Sequence, residues 1–185
     1  DLRGAGGLTV DTAAVMRRVR ELRDRFAGGM VKRTERYGER LIKGRARFLE
    51  PTLLEVDGKR VRARRVIIAT GSRPRVPEAW SAFGDRLWTS DTFFEAEALP
   101  ASVAVIGLGV IGLELGQAMA RLGVEVLGVA RSLHLGGITD PVVRDAAAEA
   151  LSGELTLWRG NPVSISEENG HLVVCSGGQR RAVDA

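Results

Sequence analysis

The chain has 185 residues, 44% of them apolar, which suits one large or two small domains with a real core and excludes a disordered chain. A single cysteine, Cys175, excludes an internal disulfide framework and any CxxC metal or redox pair, so a reducing, cytoplasmic setting and no metal centre are expected. The net charge of +4 conceals an asymmetry: residues 1–75 hold 20 Lys and Arg against 9 Asp and Glu, whereas residues 76–185 hold 7 against 14. Such a bias can mark a nucleic-acid surface. Here the basic residues alternate with apolar ones in Lys59 to Val66 or spread around a helix in Arg17 to Arg25, with no aromatic platform among them, so they read as solvated faces and no nucleic-acid partner is expected. No apolar run approaches the ~20 residues of a membrane span and no signal sequence is visible, so no membrane partner is expected either.

Asp1 is not an initiator methionine, and the opening residues lead into a helix instead of a strand, so a piece of a longer chain is expected. Gly4 to Gly7 read as loop. Thr9 or Asp11 can cap a helix in which Ala14, Val15, Val19, Leu22 and Phe26 recur at helical spacing. Gly28-Gly29 should interrupt it, with a second helical piece from Met30 to about Tyr37. Three short runs follow, Arg40 to Phe48, Thr52 to Val56 and Arg60 to Ala69, separated by Glu50-Pro51 and the hairpin dipeptide Asp57-Gly58; they predict a small antiparallel meander ending in a buried strand at Val66-Ile67-Ile68. Pro74 and Pro77 then carry an irregular connection past Trp80 and Trp88, whose rings either plug gaps between layers or stack on a cofactor, with packing favoured. A short helix is expected from Phe93 to Leu99, ended by Pro100.

The most informative stretch is residues 102–131. An apolar run, Val103 to Ile106, enters Gly107-Leu108-Gly109-Val110-Ile111-Gly112. Leu113, Leu115, Ala118, Met119 and Leu122 follow at helical spacing, then a second strand-like run from Val124 to Val129. In this strand–turn–helix–strand order, Gly107 allows the sharp exit from the strand, Gly109 lets a pyrophosphate approach the backbone, and Gly112 lets helix and strand pack closely. Unpaired amides and the positive dipole end of the helix attract phosphate. The flanking elements turn an otherwise weak GxGxxG pattern into a strong indication of a dinucleotide-binding fold.

An NAD-selective fold carries an acid at the end of the second strand for the ribose 2′-hydroxyl, and an arginine there accommodates a 2′-phosphate. This chain has Ala130 then Arg131, which favours NADP over NAD; the alternative is a surface arginine with relaxed specificity. Further on, Leu133 to Thr139 is a glycine-containing loop. Asp140 should cap a helix over Val142 to Leu151 with Pro141 at its start. Leu155 to Trp158, Val163 to Ser166 and Leu172 to Cys175 read as strands, with Asn169-Gly170 as a hairpin turn. His134 and His171 are placed in loops, neither with a partner for acid–base chemistry, and Cys175 reads as a small buried hydrophobe.

Taken together, ERLIKGRARFLEP, VIIATGSRPRVP, TSDTFFEAEALP and VIGLGVIGLELGQAMARLG resemble the flavin-dependent pyridine nucleotide-disulfide oxidoreductases, nearest the dihydrolipoamide dehydrogenase branch that also holds mercuric and glutathione reductases. The resemblance implies an α/β fold. Residues 1–100 would be a partial FAD-binding domain with an antiparallel meander, and 101–185 a Rossmann-like NAD(P)-binding domain truncated at its carboxyl end, from a homodimeric parent. It also implies that the Ala46 backbone contacts the FAD adenine, that Ala69, Thr70 and Gly71 run close to the flavin diphosphate, and that Ser90 lies near the cofactor. Gly107, Gly109, Val110, Ile111 and Gly112 would hold NAD or NADP. Glu114 matches the carboxylate that pairs with a lysine beside the flavin, and an acid in the first turns of a helix is independently favoured by the dipole; the alternative is an exposed acid at a helix start. The family's first FAD fingerprint, its CxxxxC pair and its catalytic His-Glu pair have no counterpart in the sequence. The expected role is therefore pyridine nucleotide binding, with hydride transfer to or from FAD and disulfide exchange belonging to the full-length parent. The rival expectation is a non-catalytic dinucleotide-binding module.

Overall fold

The computed structural model describes residues 9–185, so the loop expected at Gly4 to Gly7 lies outside the described residues. The described residues form two compact units: residues 9–20 with 74–185, and residues 21–73. The contact boundary falls at Arg73/Pro74, so residues 74–100 lie in the larger unit.

Helix α1 spans Thr12–Glu35. Asp11 caps it, its Oδ1 accepting from Ala14 N at 2.9 Å. The helix does not stop at Gly28-Gly29 as expected. Each glycine costs only about 1 kcal/mol against alanine, and Leu22, Arg23, Arg25, Met30, Lys32 and Arg33 on either side are adequate helix formers. Within the larger unit the start of the helix is anchored by Met16, buried beside Leu99, Val103 and Met119, by Thr12 Oγ1 donating to Leu99 O at 3.3 Å, and by Arg20 Nη1 donating to Ala96 O.

The smaller unit carries the meander: β1 Ala46–Glu50, β2 Leu53–Val56 and β3 Lys59–Arg62, antiparallel in that order. Asp57 and Gly58, both at positive φ (47° and 84°), make the β2–β3 turn. One face is charged in register. Arg47 lies opposite Glu55, which lies opposite Arg60, and Arg47 donates to Glu55 at 3.0 and 2.8 Å. The third strand is shorter than expected. Beyond it, Val66-Ile67-Ile68 has no ladder partner, and Ile67 and Ile68 are 91% and 70% exposed, so the expected buried strand is absent. Hydrophobic residues form a buried strand only beside others of matching length, and the smaller unit supplies none there.

In the larger unit, β4 Ser102–Ile106, β5 Glu125–Ala130 and β6 Thr156–Arg159 form a parallel sheet ordered β4-β5-β6. Helix α2 (Val110–Arg121) joins β4 to β5, and α3 (Pro141–Ser152) joins β5 to β6. Asp140 caps α3 as expected, accepting from Val142 N and Val143 N at 2.9 and 3.0 Å, with Pro141 at the first position. A second sheet, β7 Val163–Glu168, β8 His171–Ser176 and β9 Gln179–Val183, is antiparallel. Its first turn is Asn169-Gly170, both at positive φ. Here two expectations are corrected: His171 begins β8 instead of lying in a loop, and Gln179 to Val183 form a strand that periodicity did not reveal. Cys175 is half-buried on β8, not fully buried.

Leu127, Val129 and Trp158 on one face of the parallel sheet pack with Leu172, Val174 and Val183 of the antiparallel sheet and with Phe83 from the connection. The opposite face packs on the helices, through Leu108, Ala130, Leu135 and Ala148. The connection contains 3₁₀ turns over Glu78–Arg86 and Phe93–Glu95, the latter replacing the longer helix expected to Leu99. Trp80 and Trp88 both pack against these cores. Arg86 pins the connection to the β7–β8 hairpin, donating to Gly170 O at 3.0 Å and pairing with Glu167 at 2.7 Å. Leu127 is fully enclosed (0% exposed), so Leu127→Ala should cost about 2–5 kcal/mol in urea unfolding, and a loss under 1 kcal/mol would contradict this core.

Candidate functional site

Strand β4 ends at Ile106 and the chain turns at Gly107, whose φ of +104° is a conformation that other residues enter only with strain. Its N–H is held by Val129 O at 2.8 Å, so the turn is fixed to the neighbouring strand. Leu108 drops into the core at 3% exposure. Helix α2 then starts at Val110 with no side-chain cap on Gly109. The first i→i−4 bond runs from Leu113 N to Gly109 O at 3.0 Å, so the amides of Val110, Ile111 and Gly112 precede the helical ladder. They face the side where the dipole is positive.

The three glycines of the motif do different work. A Cβ on Gly112 would be driven into Gly107 O and would press on Val105 Cγ1 at 3.3 Å, so helix and strand approach to a distance that only hydrogen permits. A Cβ on Gly109 would meet nothing within 4 Å. Gly109 has an ordinary extended backbone (φ −71°, ψ −177°), so neither strain nor packing demands glycine there. Open space in front of an uncapped helix start is what a ligand diphosphate needs, and these residues fit one.

The loop after β5 closes the other side. Gly136 N donates to Leu108 O at 2.8 Å, tying that loop to the glycine turn, and Leu135 is fully buried. Arg131 lies exposed at the carboxyl end of β5, without a hydrogen bond or ion pair among the described residues. At the end of β6, Arg159 Nη1 donates to Leu133 O at 3.2 Å. Nearby, Arg144 donates to Asp145 at 3.0 Å and holds that carboxyl below its usual range, helped by the charges of Arg144 and Arg159. The turn, the post-β5 loop and Arg159 all stand at the carboxyl ends of parallel strands, where open α/β sheets take their ligands.

Gly107, Gly109, Val110, Ile111, Gly112 and Arg131 are thus brought to one end of one sheet. Ser90 lies on the connection and lines a cavity of about 340 Å³ together with Trp88, Val105, Gly107, Ile111 and Gly112. Glu114 is exposed, on the same side of α2 as the exposed Val110 and Ile111. Ala46, Ala69, Thr70 and Gly71 belong to the smaller unit and are all exposed. Ala69 to Gly71 carry no regular structure, so the residues of that unit do not by themselves enclose a flavin. No cluster of three or more His, Cys, Asp or Glu suited to a metal occurs among the described residues. Arg159, which sequence reasoning did not single out, is brought beside Ala130 at the same end of the sheet by the β5–β6 pairing.

The sequence matches the pyridine nucleotide-disulphide oxidoreductase family over residues 5–185. It is 32% identical over 155 residues to a mercuric reductase of Lysinibacillus sphaericus, covering 82% of this chain and 28% of that protein. It is 45% identical over 87 residues to a dihydrolipoyl dehydrogenase of Thermus scotoductus, covering 46% of this chain and 19% of that one. The crystal structure of LpdA from Mycobacterium tuberculosis superposes with a TM-score of 0.76 at 22% identity, over 98% of this chain and 42% of that chain, which shows a shared fold. The matched stretches thus span less than a third of the length of these two curated relatives. Proteins of this family are flavoprotein oxidoreductases that work with FAD and NAD(P)H. With a strand–glycine turn–helix in which Gly112 packs directly on Gly107, and a family match over residues 5–185, this chain belongs to the pyridine nucleotide-disulphide oxidoreductase family.

Proposed function

We propose that this chain is the central portion of a flavin-dependent NAD(P)H:disulfide oxidoreductase of the dihydrolipoamide dehydrogenase type, and that its own task is to bind the pyridine nucleotide at the mouth of β4. The observation that carries this reading is the β4–α2 turn, where Gly112 is forced by packing and Gly109 is left open in front of uncapped amides. When bound, the cofactors supply the redox chemistry, hydride passing between nicotinamide and flavin. The amides of Val110, Ile111 and Gly112 donate to the diphosphate, and the exposed Arg131 meets the adenosine ribose and favours NADP. Glu114, exposed beside Val110 and Ile111, is the carboxylate assigned to the flavin side of the site. FAD contacts at Ala46, Ala69, Thr70, Gly71 and Ser90, the disulfide substrate, a homodimeric assembly and a cytoplasmic setting belong to the proposed full-length parent.

Among the described residues Cys175 is the lone thiol and is half-buried, so disulfide exchange is not assigned to this chain. Mixed with FAD and NADPH and passed through a desalting column, the chain should bind NADPH measurably and emerge without flavin colour. A yellow protein that turns over a disulfide would refute the assignment, and a chain that binds neither nucleotide would remove its basis.

The two glycines separate binding from folding. Gly109→Ala should leave the thermal midpoint unchanged while NADPH affinity measured by calorimetry falls about tenfold or more, because the methyl enters the path of the diphosphate. Gly112→Ala should instead lower the midpoint, costing about 1–3 kcal/mol as helix and strand are forced apart. Unchanged NADPH affinity in Gly109→Ala would contradict the proposed binding pose.

A further inference from the structure

Strand β4 is bonded to β5 along one edge, and its other edge is satisfied only in part. Successive residues of a strand direct their backbone groups to alternate edges. Gly107 N donates to Val129 O on the β5 side, so the outer edge belongs to Ser102, Ala104 and Ile106. Asp184 N donates to Ser102 O at 3.2 Å and Ala104 N donates to Ala185 O at 2.8 Å, so the residues after β9 begin to pair parallel with β4. The pairing goes no further: among the described residues Ile106 N finds no acceptor and Ala104 O no donor. Here the edge faces a cavity of about 340 Å³, lined by Ala104 and Ile106 of β4, Leu115 of α2, Val174 of the antiparallel sheet, and Phe83 and Trp88 of the connection. The slot therefore prolongs the parallel sheet between the two layers that cover it.

One segment of the chain has the matching deficiency. Val66-Ile67-Ile68, in the smaller unit, belongs to no ladder, and Ile67 and Ile68 are 91% and 70% exposed. Branched apolar residues of this kind favour a pleated, half-buried setting, and an exposed strand former is a template for pairing with another chain. We propose that the outer edge of β4 takes Val66-Ile67-Ile68 of a second copy of this chain as an added parallel strand. The direction is set by Asp184-Ala185, whose pairing the incoming strand prolongs. In a parallel ladder one residue opposite Val105 donates to Ala104 O and accepts from Ile106 N, so a three-residue segment completes the edge. Main-chain bonds supply the affinity, and the cavity takes the branched side chains. Each copy carries one segment and one slot, so the contact joins unlike surfaces and the copies associate head to tail. The proposal does not depend on the pyridine nucleotide reading.

The test is sedimentation velocity over a range of chain concentrations, joined to amide hydrogen exchange. The mass should rise with concentration from one chain to two or more, and the Ile106 amide should become protected as it does. Ile67→Asp and Ile68→Asp alter exposed side chains, so each should leave the thermal midpoint unchanged while weakening association about tenfold or more, because a charge cannot enter the apolar slot. An excess of a synthetic peptide spanning residues 64–70 should return the chain to single copies with Ile106 still protected, and the same peptide carrying aspartate in place of both isoleucines should do neither. A mass of one chain at every concentration overturns the proposal, as does association that survives both substitutions. Association that leaves the Ile106 amide unprotected overturns it too, since the copies would then meet through other exposed apolar residues and not at the edge of β4.

Discussion

The arrangement at the mouth of β4 depends on how closely α2 lies against that strand. A carbonyl at Gly107 and a hydrogen at Gly112 occupy space that any side chain would need, and the helix axis is thereby aimed at the end of the sheet. Once that approach is set, the rest follows by geometry. Leu108 is directed inward, Gly109 outward, and the first amides of α2 stand unsatisfied at the lip. Gly136 N on Leu108 O then carries the constraint to the post-β5 loop, and through it to Arg131 and Arg159. This end of the sheet is tied together by a series of contacts that begins with one missing methyl group.

What keeps that end in place is a two-sided core. The parallel sheet is covered by helices on one face and by the antiparallel sheet on the other, with Leu127, Val129 and Val174 fully enclosed between the sheets. Strands buried on both faces read as continuous apolar runs, which is how Val103 to Ile106 and Val124 to Val129 announce themselves. The charged surface is organised as well. On the meander, Arg47 and Arg60 both lie opposite Glu55 in register, so part of the positive excess of the amino-terminal half is balanced locally by cross-strand pairing.

The elements legible in the sequence are those whose cause is local. The β4 turn, the Asp140 cap with Pro141, and the Asn169-Gly170 hairpin are each encoded within a few residues, and each forms where its chemistry sits. Reading fails where the outcome depends on distant partners. Gly28-Gly29 carry a local signal to stop, but the cost is small against the run of helix formers around them, and α1 continues. Val66-Ile67-Ile68 carries a local signal for a strand, but a strand needs a neighbour, and the segment stays irregular with Ile67 and Ile68 exposed. Strand β9 is rich in arginine and hidden from periodicity; it forms because β8 offers an edge in register. The position of Arg159 was hidden for the same reason, since only the β5–β6 ladder brings it beside Ala130.

One bond pair at the far end of β4 bears on how such a chain is made. Ser102 donates from both its amide and its hydroxyl to Asp184 Oδ2, each at 2.9 Å, and Ala104 N donates to Ala185 O at 2.8 Å. The strand that opens the glycine turn therefore completes its edge with residues translated some 82 positions later. A ribosome releasing this polypeptide from its amino end delivers the glycine motif well before the acid that secures its base. Long-range pairing of this kind is slow to close and leaves the nascent strand unguarded meanwhile. The motif most easily recognised in the sequence is thus locked only after residues some 82 positions further along have been made.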